Sequence, residues 1–320
     1  RMLRRRAEQD RDELLPICIH GDSNRYRGYS TSKESNESAH SYCLVTIKRW
    51  MQSNINMQEE REMAQQSLLN QTQNLFDLLC HEKTLASAFK AVKANNSSSG
   101  IDEVSVSDFD KQKDQELAQL REELLTWDYQ PKPVRRVEIP KPDNRGVRLL
   151  GVPCVRDRVV QTAIKMVIEP ILEPTFSNSS FGFRPNRDQK GAIEAARRYV
   201  EAGKEYVVDI DLSKFFDRIN HDRLIAKLSK QIDDKRILRL IGMTLRSGII
   251  TDQGFIASTI GSTQGSPLSP LLSNVILDEL DKKLEQRGLS FVRYADAYSW
   301  LQSSPPRASW KALVGLLNQK

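Results

Sequence analysis

Apolar residues recur every three or four positions along much of the chain beyond residue 65, which is the spacing of helices that bury one face. Leu75 and Leu79 show this spacing, and Leu120 and Leu124 continue it after a break rich in Ser and Gly, with Ser107 placed to act as an N-cap. The same spacing predicts helices at about residues 155 to 172, 187 to 202, 221 to 231, 234 to 246 and 267 to 287, and a short one from Trp310.

Alternation of apolar and charged residues interrupts the helical spacing and predicts β-strands. Val137 and Ile139 alternate with charges, a turn rich in Pro, Asp, Asn and Gly follows, and VRLLGVP resumes the pattern, so a hairpin is predicted. A second hairpin is predicted near Ile249 to Ile260. EYVVDIDL and SFVRYAD are predicted to be strands that end in acids and lie side by side. Helices and strands in this order indicate an α+β fold.

Residues 1 to 60 are polar, rich in Ser, Asn and Arg, and lack apolar periodicity, so a disordered leader is expected there. The whole chain has 320 residues and 39% hydrophobic content, so it is long and apolar enough to bury a substantial core. No apolar run approaches the roughly 20 residues that span a bilayer, and no apolar segment follows the charged start of the chain. We therefore expect neither secretion nor membrane insertion.

The charge and cysteine content narrows the classes of partner and site. The chain has 48 Lys and Arg against 42 Asp and Glu, a net charge of +6 that favours a polyanionic partner but also fits an ordinary solvated surface. The four cysteines are scattered, with no C-x-x-C pair and no histidine at zinc-ligand spacing. Reduced thiols are expected, and a zinc site is not.

Two aspartates at predicted strand ends are the sharpest candidates for chemistry. Asp211 in VVDIDLSKFFD and Asp296 in FVRYAD each follow apolar residues that would bury the strand. Two carboxylates that converge from neighbouring strands form a hard-oxygen site for Mg²⁺. Asp209 lies on the same strand face as Asp211 and is a candidate for a nearby acid. The alternative is that these acids cap helices or pair with arginines.

A loop and a basic hairpin are the other candidates. In GSTQGSPLSPLLSN, glycines permit close backbone approach, an amide is available to a sugar or base, and a proline starts a helix, although such a loop is commonly only a turn. The hairpin carries cations at a turn, where they would clamp a triphosphate, and others that would meet backbone phosphates, unless the hairpin is simply a charged, solvated one. These residues are Gly261, Gln264, Gly265 and Pro267 in the loop, Lys141, Arg145 and Arg148 at the turn, and Arg136, Arg156 and Arg158 beside it.

Six blocks in succession carry a resemblance to a known family. They are SSSGIDEVSVSDF, IPKPDNRGVRLLGVPCVRDRVVQTAI, FSNSSFGFRPNRDQKGAI, VVDIDLSKFFDRINHDRL, STQGSPLSPLLSNVILDELD and FVRYAD. In this order the sequence resembles the reverse transcriptases encoded by group II introns, the intron maturases, from about residue 75 to its C-terminus.

The resemblance implies a fold and a function. The expected fold has reverse-transcriptase-like fingers and palm, an antiparallel palm sheet with packed helices, and a helical N-terminal extension. The expected domains are the extension at 61–130, the fingers at 131–205 and an incomplete palm at 206–320. The implied activity is RNA-directed DNA polymerisation, in which dNTPs are added with Mg²⁺ to a DNA primer on an RNA template. The alternatives are a maturase that binds intron RNA without polymerising, or a reverse transcriptase of a retron, CRISPR-associated or phage-defence element. The expected location is the bacterial cytoplasm or an organelle.

The resemblance also assigns roles to residues by motif position. It implies that Asp211 and Asp296 are catalytic and bind metal together with the Leu212 carbonyl. Other matched residues hold the nucleotide or nucleic acid: Phe216 against the sugar, Gln264 and Gly265 in the nucleotide pocket, Lys141 and Arg148 on the triphosphate, and Arg184 within the FGFRP block that shapes the template channel.

Two departures from the family pattern change these expectations. The family has Tyr-Ala-Asp-Asp where this chain has Tyr294-Ala295-Asp296-Ala297, so one carboxylate of the metal cluster is missing and polymerisation is expected to be impaired. The family also continues into an α-helical thumb, which is expected to be absent here. Tyr298 to Trp300 departs from the usual apolar strand.

Overall fold

A computed structural model describes residues 74–95, 97–140, 147–212 and 214–303. The predicted leader, Lys141, Arg145 and the helix from Trp310 lie outside these residues. The helices are α1 (Leu75–Leu79), α2 (Glu82–Asn95), α3 (Val106–Lys111), α4 (Lys113–Thr126), α5 (Val155–Leu172), α6 (Gln189–Glu201), α7 (His221–Leu228), α8 (Lys235–Leu245) and α9 (Ser269–Gln286). The strands are β1 (Val134–Pro140), β2 (Val147–Val152), β3 (Tyr206–Asp211), β4 (Ile249–Thr251), β5 (Gly254–Ile256), β6 (Ser290–Tyr294) and β7 (Ala297–Gln302).

The α+β fold predicted from the sequence is confirmed, and the predicted long helices form close to their expected bounds. The N-cap prediction was wrong, because the segment from the Ser- and Gly-rich break to Leu124 forms two helices, α3 and α4, rather than one. Ser105 caps α3, and its hydroxyl accepts a hydrogen bond from the Asp108 amide at 3.1 Å. Ser107 lies inside α3, and α4 begins after Gln112 without a side-chain cap.

A four-stranded sheet has the order β2-β1-β4-β5. β1 and β2 form the predicted antiparallel hairpin, and β4 and β5 form the second one. β1 joins the two hairpins through a short parallel pairing, Val134 with Ile249 and Arg135 with Ile250. The β1–β2 hairpin belongs to the predicted fingers and the β4–β5 hairpin to the predicted palm, yet the two share one sheet. The predicted boundary between residues 205 and 206 is therefore crossed by the pairing of β1 with β4.

The main hydrophobic core surrounds α5. Its apolar residues occur on all sides of the helix, and Val159, Val160, Ala163, Ile164 and Ile168 are all essentially inaccessible to solvent. α1 and α2 pack on one part of α5, while α8 and α9 pack on others. A helix that is apolar all round is stable only when neighbours cover every face, which explains why the N-terminal helices are held against the rest of the fold.

A three-stranded antiparallel sheet has the order β3-β7-β6. Side chains alternate across it, as the two-residue period of a strand requires. Phe291, Tyr298 and Trp300 pack with Leu277 and Leu284 of α9 on one face. The departure from the usual apolar strand at Tyr298 to Trp300 therefore supplies buried aromatic rings to the core.

The opposite face of the three-stranded sheet is only partly covered. α6 packs over β6 and β7 there, with Ala192 and Ala195 against Val292. β3 pairs with β7 alone within the described residues, and its Tyr206 and Val207 are 41% and 51% exposed. The expectation that apolar residues bury this strand was wrong for half of it, because β3 lies at the sheet edge and only its Val208 and Ile210 face the core.

Candidate active site

The two predicted aspartates meet at one end of the three-stranded sheet. β3 ends at Asp211, which lies directly opposite Ala297 in the register of β3 and β7. Tyr294 pairs with Ala297, so Ala295 and Asp296 form a two-residue turn between β6 and β7. The Leu212 amide donates to the Asp296 carbonyl at 3.3 Å. Acids 85 positions apart along the chain thus project from adjoining segments of backbone.

The route by which they meet differs from the prediction. The two acid-bearing strands, β3 and β6, are not side by side, because the return strand β7 lies between them. Asp296 approaches Asp211 because it occupies the turn rather than the body of β6. Ala295 adopts a left-handed conformation with φ of 56°, which the tight turn requires.

Ala297 occupies the position where this arrangement would take another carboxylate. Its methyl group is exposed and faces Asp211 across the ladder. Among the described residues, no group of three or more His, Cys, Asp or Glu side chains is arranged to hold a metal ion. Two carboxylates and a backbone carbonyl are nevertheless the hard oxygen donors that Mg²⁺ accepts when water and substrate phosphate complete its coordination. The residues present therefore fit a divalent ion with fewer protein ligands than the family motif provides.

Asp209 lies one pleat below Asp211 on the exposed face of β3. It accepts a hydrogen bond from the Ser299 hydroxyl at 2.7 Å, across the β3–β7 ladder. This bond leaves the Asp209 carboxylate close to Asp211 but engaged with its own partner, so the two acids of VVDID are in different surroundings.

A buried network that the sequence analysis missed fixes the turn carrying Asp296. Arg293 of β6 is fully buried and forms an ion pair with Asp281 of α9, with Nη2 to Oδ2 at 2.7 Å. Its Nη1 donates to the Asn274 amide oxygen at 2.8 Å and to the Ala295 carbonyl at 2.9 Å. Burial opposes the charge on Arg293, but the Asp281 carboxylate raises the pKa of the guanidinium above its ordinary value. The turn is thereby tied to α9 through a charged side chain that cannot move into solvent.

The FGFRP block supports the same turn. The backbone of Arg293 bonds to the start of this block, because its amide donates to the Ser179 carbonyl just before the block and its carbonyl accepts from the Phe181 amide. A Cβ added at Gly182 would meet the Ala295 amide nitrogen at 2.1 Å, so only glycine permits this contact. The buried network could have been found from one signal in the sequence. Arg293 interrupts the apolar residues of β6, and a buried arginine requires a buried partner.

The loop after β5 lies beside the segment that follows β3. The Ser262 amide donates to the Phe216 carbonyl at 2.7 Å, and the Gly261 amide donates to Ile219 at 2.7 Å. Phe216 is half-buried and packs edge-on against Phe215 at 5.7 Å between ring centroids. The residue predicted to contact a nucleotide sugar and the predicted nucleotide loop are therefore adjacent.

A cleft of about 280 Å³ opens between this loop and the β1–β2 hairpin. Arg136 and Gln264 both line it, with Asp217 at one side. The Gly151 amide of β2 donates to the Gln264 main-chain carbonyl at 2.7 Å, so the backbone of Gln264 is held against the hairpin at the cleft. Arg148 is exposed on β2, opposite Ile139, towards the tip of the same hairpin.

Gly265 is required where the loop and β2 touch. Its φ is 114°, and an added Cβ would meet the Gly151 carbonyl oxygen at 2.5 Å. Gly254 has a nearly identical φ of 113° but no atom within 4 Å of an added Cβ. We expect Gly265→Ala to lower the free energy of unfolding by about 3 kcal/mol and Gly254→Ala by about 1 kcal/mol, as measured by urea denaturation. Equal losses would show that the backbone contact contributes nothing beyond the conformational strain.

The structure places three of the predicted nucleic-acid-binding arginines in contacts within the fold. Arg184 is buried, with Nη2 paired with Glu173 at 2.7 Å and further bonds to main-chain carbonyls. Arg158 is also buried and donates to the Ser98 carbonyl at 2.7 Å. Arg156 is paired with Glu123. Arg184 and Arg158 are bonded inside the protein, whereas Arg136 lines the cleft, and contact of these arginines with nucleic acid stays a prediction.

A comparison with protein families identifies this arrangement. The family model described as "Reverse transcriptase (RNA-dependent DNA polymerase)" matches residues 139–310, which is more than half of the chain and includes both aspartates, the loop and the cleft. The chain belongs to the reverse transcriptase family. Members of this family use divalent metal ions and act on nucleic acids.

Two curated proteins are similar to this chain, and one of them is named as an intron-encoded protein. "Protein YkfC" of Escherichia coli K12 is 37% identical over 237 residues, covering 72% of this chain and 62% of the relative. "Group II intron-encoded protein LtrA" of Lactococcus lactis subsp. cremoris is 34% identical over 180 residues, covering 56% of this chain and 30% of the relative. The chain thus spans less than two thirds of the length of each of these relatives.

A solved structure, "Partial Cas6-RT-Cas1--Cas2 complex", aligns with 72% of this chain and 38% of its own chain, at 25% identity and a TM-score of 0.48.

Among the residues that the structure describes, no helix of this reverse transcriptase family member has the length and apolar character of a membrane span.

Proposed function

We propose that this chain is the fingers and palm part of an RNA-directed DNA polymerase of group II intron type. It would add dNTPs to the 3′-hydroxyl of a DNA primer on an RNA template. The observation that carries the proposal is the backbone register that sets Asp211 beside the turn carrying Asp296, since two carboxylates at one end of a sheet would supply hard-oxygen ligands. The family membership and the intron-encoded relative support it.

Asp211, Asp296 and the Leu212 carbonyl are the groups that would hold Mg²⁺. When bound, this ion would stabilise negative charge on the reacting phosphate oxygens and activate the primer 3′-hydroxyl. The protein's own contribution is position. The buried Arg293 fixes the turn that presents Asp296, and the β3–β7 ladder fixes Asp211. Geometry held in advance of the reaction lowers the barrier because less reorganisation is needed during it.

The cleft residues have separate tasks in this proposal. Phe216 would pack against the nucleotide sugar, while Gln264 and Gly265 would form the floor of the nucleotide pocket. Arg148 and Lys141 would hold the triphosphate from the β1–β2 hairpin. Arg136, which lines the cleft and for which the described residues provide no ion pair, would contact a phosphate of the nucleic acid.

Ala297 makes impaired polymerisation part of the proposal. The second candidate function is therefore a maturase that binds intron RNA and assists splicing without synthesis. The specific observation in its favour is the methyl group opposite Asp211, because RNA binding needs shape and charge but no third metal-binding carboxylate. Both functions are consistent with a location in the bacterial cytoplasm or in an organelle.

Removing one acid tests the proposal when a neighbouring acid serves as the control. In a chain carrying Ala297→Asp, Asp211→Asn is expected to lower RNA-templated primer extension with Mg²⁺ by about 100-fold or more, since a metal ligand is lost. Asp209→Asn, one pleat away and bonded to Ser299, is expected to change the rate by less than about threefold. Equal effects of the two substitutions would contradict the assignment of Asp211 as the metal ligand.

A further inference from the structure

A groove of about 320 Å³ lies between α7 and α9. Phe176 and Val275 are buried residues of its lining. The rest of the lining is mostly polar and strongly basic. Its four lysines are Lys227, Lys230, Lys282 and Lys283.

One carboxylate of the groove is shared among three cations. Glu279 accepts from Lys227 at 2.6 Å, from Arg223 at 3.0 Å and from Lys283 at 3.1 Å. The hydrogen bond from Lys227 is the largest contribution that lowers the pKa of Glu279, to about 2. A single carboxylate neutralises only one positive charge, so this cluster keeps excess positive charge.

Of the two remaining lysines of the lining, only Lys230 adds to the excess positive charge. Lys282 pairs with Asp278, which also accepts from the Ser177 amide at 3.1 Å. Lys230 is exposed, and no ion-pair partner for its ammonium occurs in the part of the chain that the structure describes. Pairs four residues apart on α9 are ordinary for a surface helix. They do not explain why Lys227 and Lys230, from α7 and the segment after it, line the same groove, or why Arg223 of α7 also pairs with Glu279.

A polar group in the lining also lacks a partner. The side-chain oxygen of Gln231 is buried, and no donor in the described residues satisfies it. An unsatisfied buried acceptor costs free energy, so turning this amide towards a ligand hydroxyl sacrifices no bond at its oxygen. Phosphates beside the lysines and a hydroxyl donor beside Gln231 are the features of a ribonucleotide backbone.

The groove is separated from the candidate active site by the fold itself. α9 lies against the sheet face formed by Phe291, Tyr298 and Trp300, whereas Asp209 and Asp211 are exposed on the opposite side of β3. The groove is on the flank of α9 that faces α7. A nucleic acid bound in this groove would therefore lie on a different side of the protein from one bound over Asp209 and Asp211.

From this placement we infer that the α7–α9 groove is a second RNA-binding site, in which lysines hold the phosphodiester backbone and Gln231 accepts a hydrogen bond from a 2′-hydroxyl. The inference does not depend on the proposed polymerase activity, because RNA binding in this groove requires neither a metal ion nor a dNTP.

The test is binding of a fluorescein-labelled RNA duplex of about 20 base pairs, followed by anisotropy at several salt concentrations. Lys230→Ala/Lys282→Ala/Lys283→Ala is expected to weaken binding by about tenfold at about 0.15 M salt and to reduce the slope of log affinity against log salt by about two. The matched control, Lys111→Ala/Lys113→Ala/Lys190→Ala, removes the same charge from other surface helices and is expected to weaken binding by less than about threefold.

Gln231→Ala tests the recognition of RNA separately from charge. It is expected to reduce the preference for the RNA duplex over a DNA duplex of the same sequence by about threefold or more. Circular dichroism melting checks that every variant folds. Equal losses in the groove and control triples would overturn the site. Loss of binding to anionic phospholipid vesicles in the groove triple, with RNA binding intact, would also overturn the assignment to RNA.

Discussion

Replacing Ala297 with aspartate is expected to raise Mg²⁺-dependent primer extension on an RNA template by about 100-fold. The new carboxylate would stand directly opposite Asp211 in the β3–β7 register and next to Asp296 in the turn. Ala297 is exposed, so the larger side chain meets no packed neighbour that it must displace. The gain corresponds to about 3 kcal/mol of transition-state stabilisation, which is a usual contribution of one well-placed charged group.

The matched control is Ala297→Asn, which has nearly the same shape but no charge. It is expected to give less than about a tenth of the gain, since a neutral amide is a weaker ligand for a hard cation. A steady-state extension assay with this chain and both variants, at fixed primer, template and dNTP, measures the difference. Equal rates for the asparagine and aspartate variants would contradict a metal site at this end of the sheet.

Arg293→Met is expected to lower the free energy of unfolding by about 4 kcal/mol. Arg293 and Asp281 are both fully buried, and removal of the guanidinium leaves a carboxylate whose remaining side-chain donor is the Tyr298 hydroxyl at 2.9 Å. Uncompensated charge inside a protein is among the most destabilising single changes. Urea denaturation followed by far-UV circular dichroism measures the loss.

The double substitution Arg293→Met/Asp281→Leu separates charge from packing. Because it removes both members of the ion pair, it is expected to lose about 2 kcal/mol less than Arg293→Met alone. If the double variant loses as much as the single one, the pair acts through its shape and not through its charge. The double variant should still lose activity in an Ala297→Asp background, since the Ala295 carbonyl no longer has its donor.

Contiguous motifs were the part of the site that the sequence predicted well. The prediction that Asp211 and Asp296 lie near each other is confirmed, because their backbone segments adjoin at one sheet end, while their role as metal ligands stays a prediction. The glycines of the loop were also correctly linked to close backbone approach, because Gly265 has a positive φ and touches Gly151. Both signals, an acid at the end of an apolar run and glycines within a short loop, lie in a few consecutive residues of the chain.

Contacts between distant segments could not be predicted in the same way. Arg158 was predicted to contact a phosphate and Arg184 to lie in the block that shapes the template channel, because an arginine gives the same sequence signal whether its side chain is exposed or buried. Their partners, Glu173 and the Ser98 carbonyl, become visible only when the chain folds back. The position of β7 between β3 and β6 was equally hidden, since the order of strands in a sheet does not follow from their order in sequence.

The contact between Gly151 and Gly265 has a mechanical consequence. Two backbones meet there without intervening side chains, and the Gly151 amide is bonded to the Gln264 carbonyl. Side chains act as compliant spacers, whereas directly apposed peptide groups transmit a displacement almost unchanged. The base of the β1–β2 hairpin and the loop are therefore expected to move together, so that displacement of the hairpin relative to the loop is confined to the part beyond Gly151 that carries Arg148.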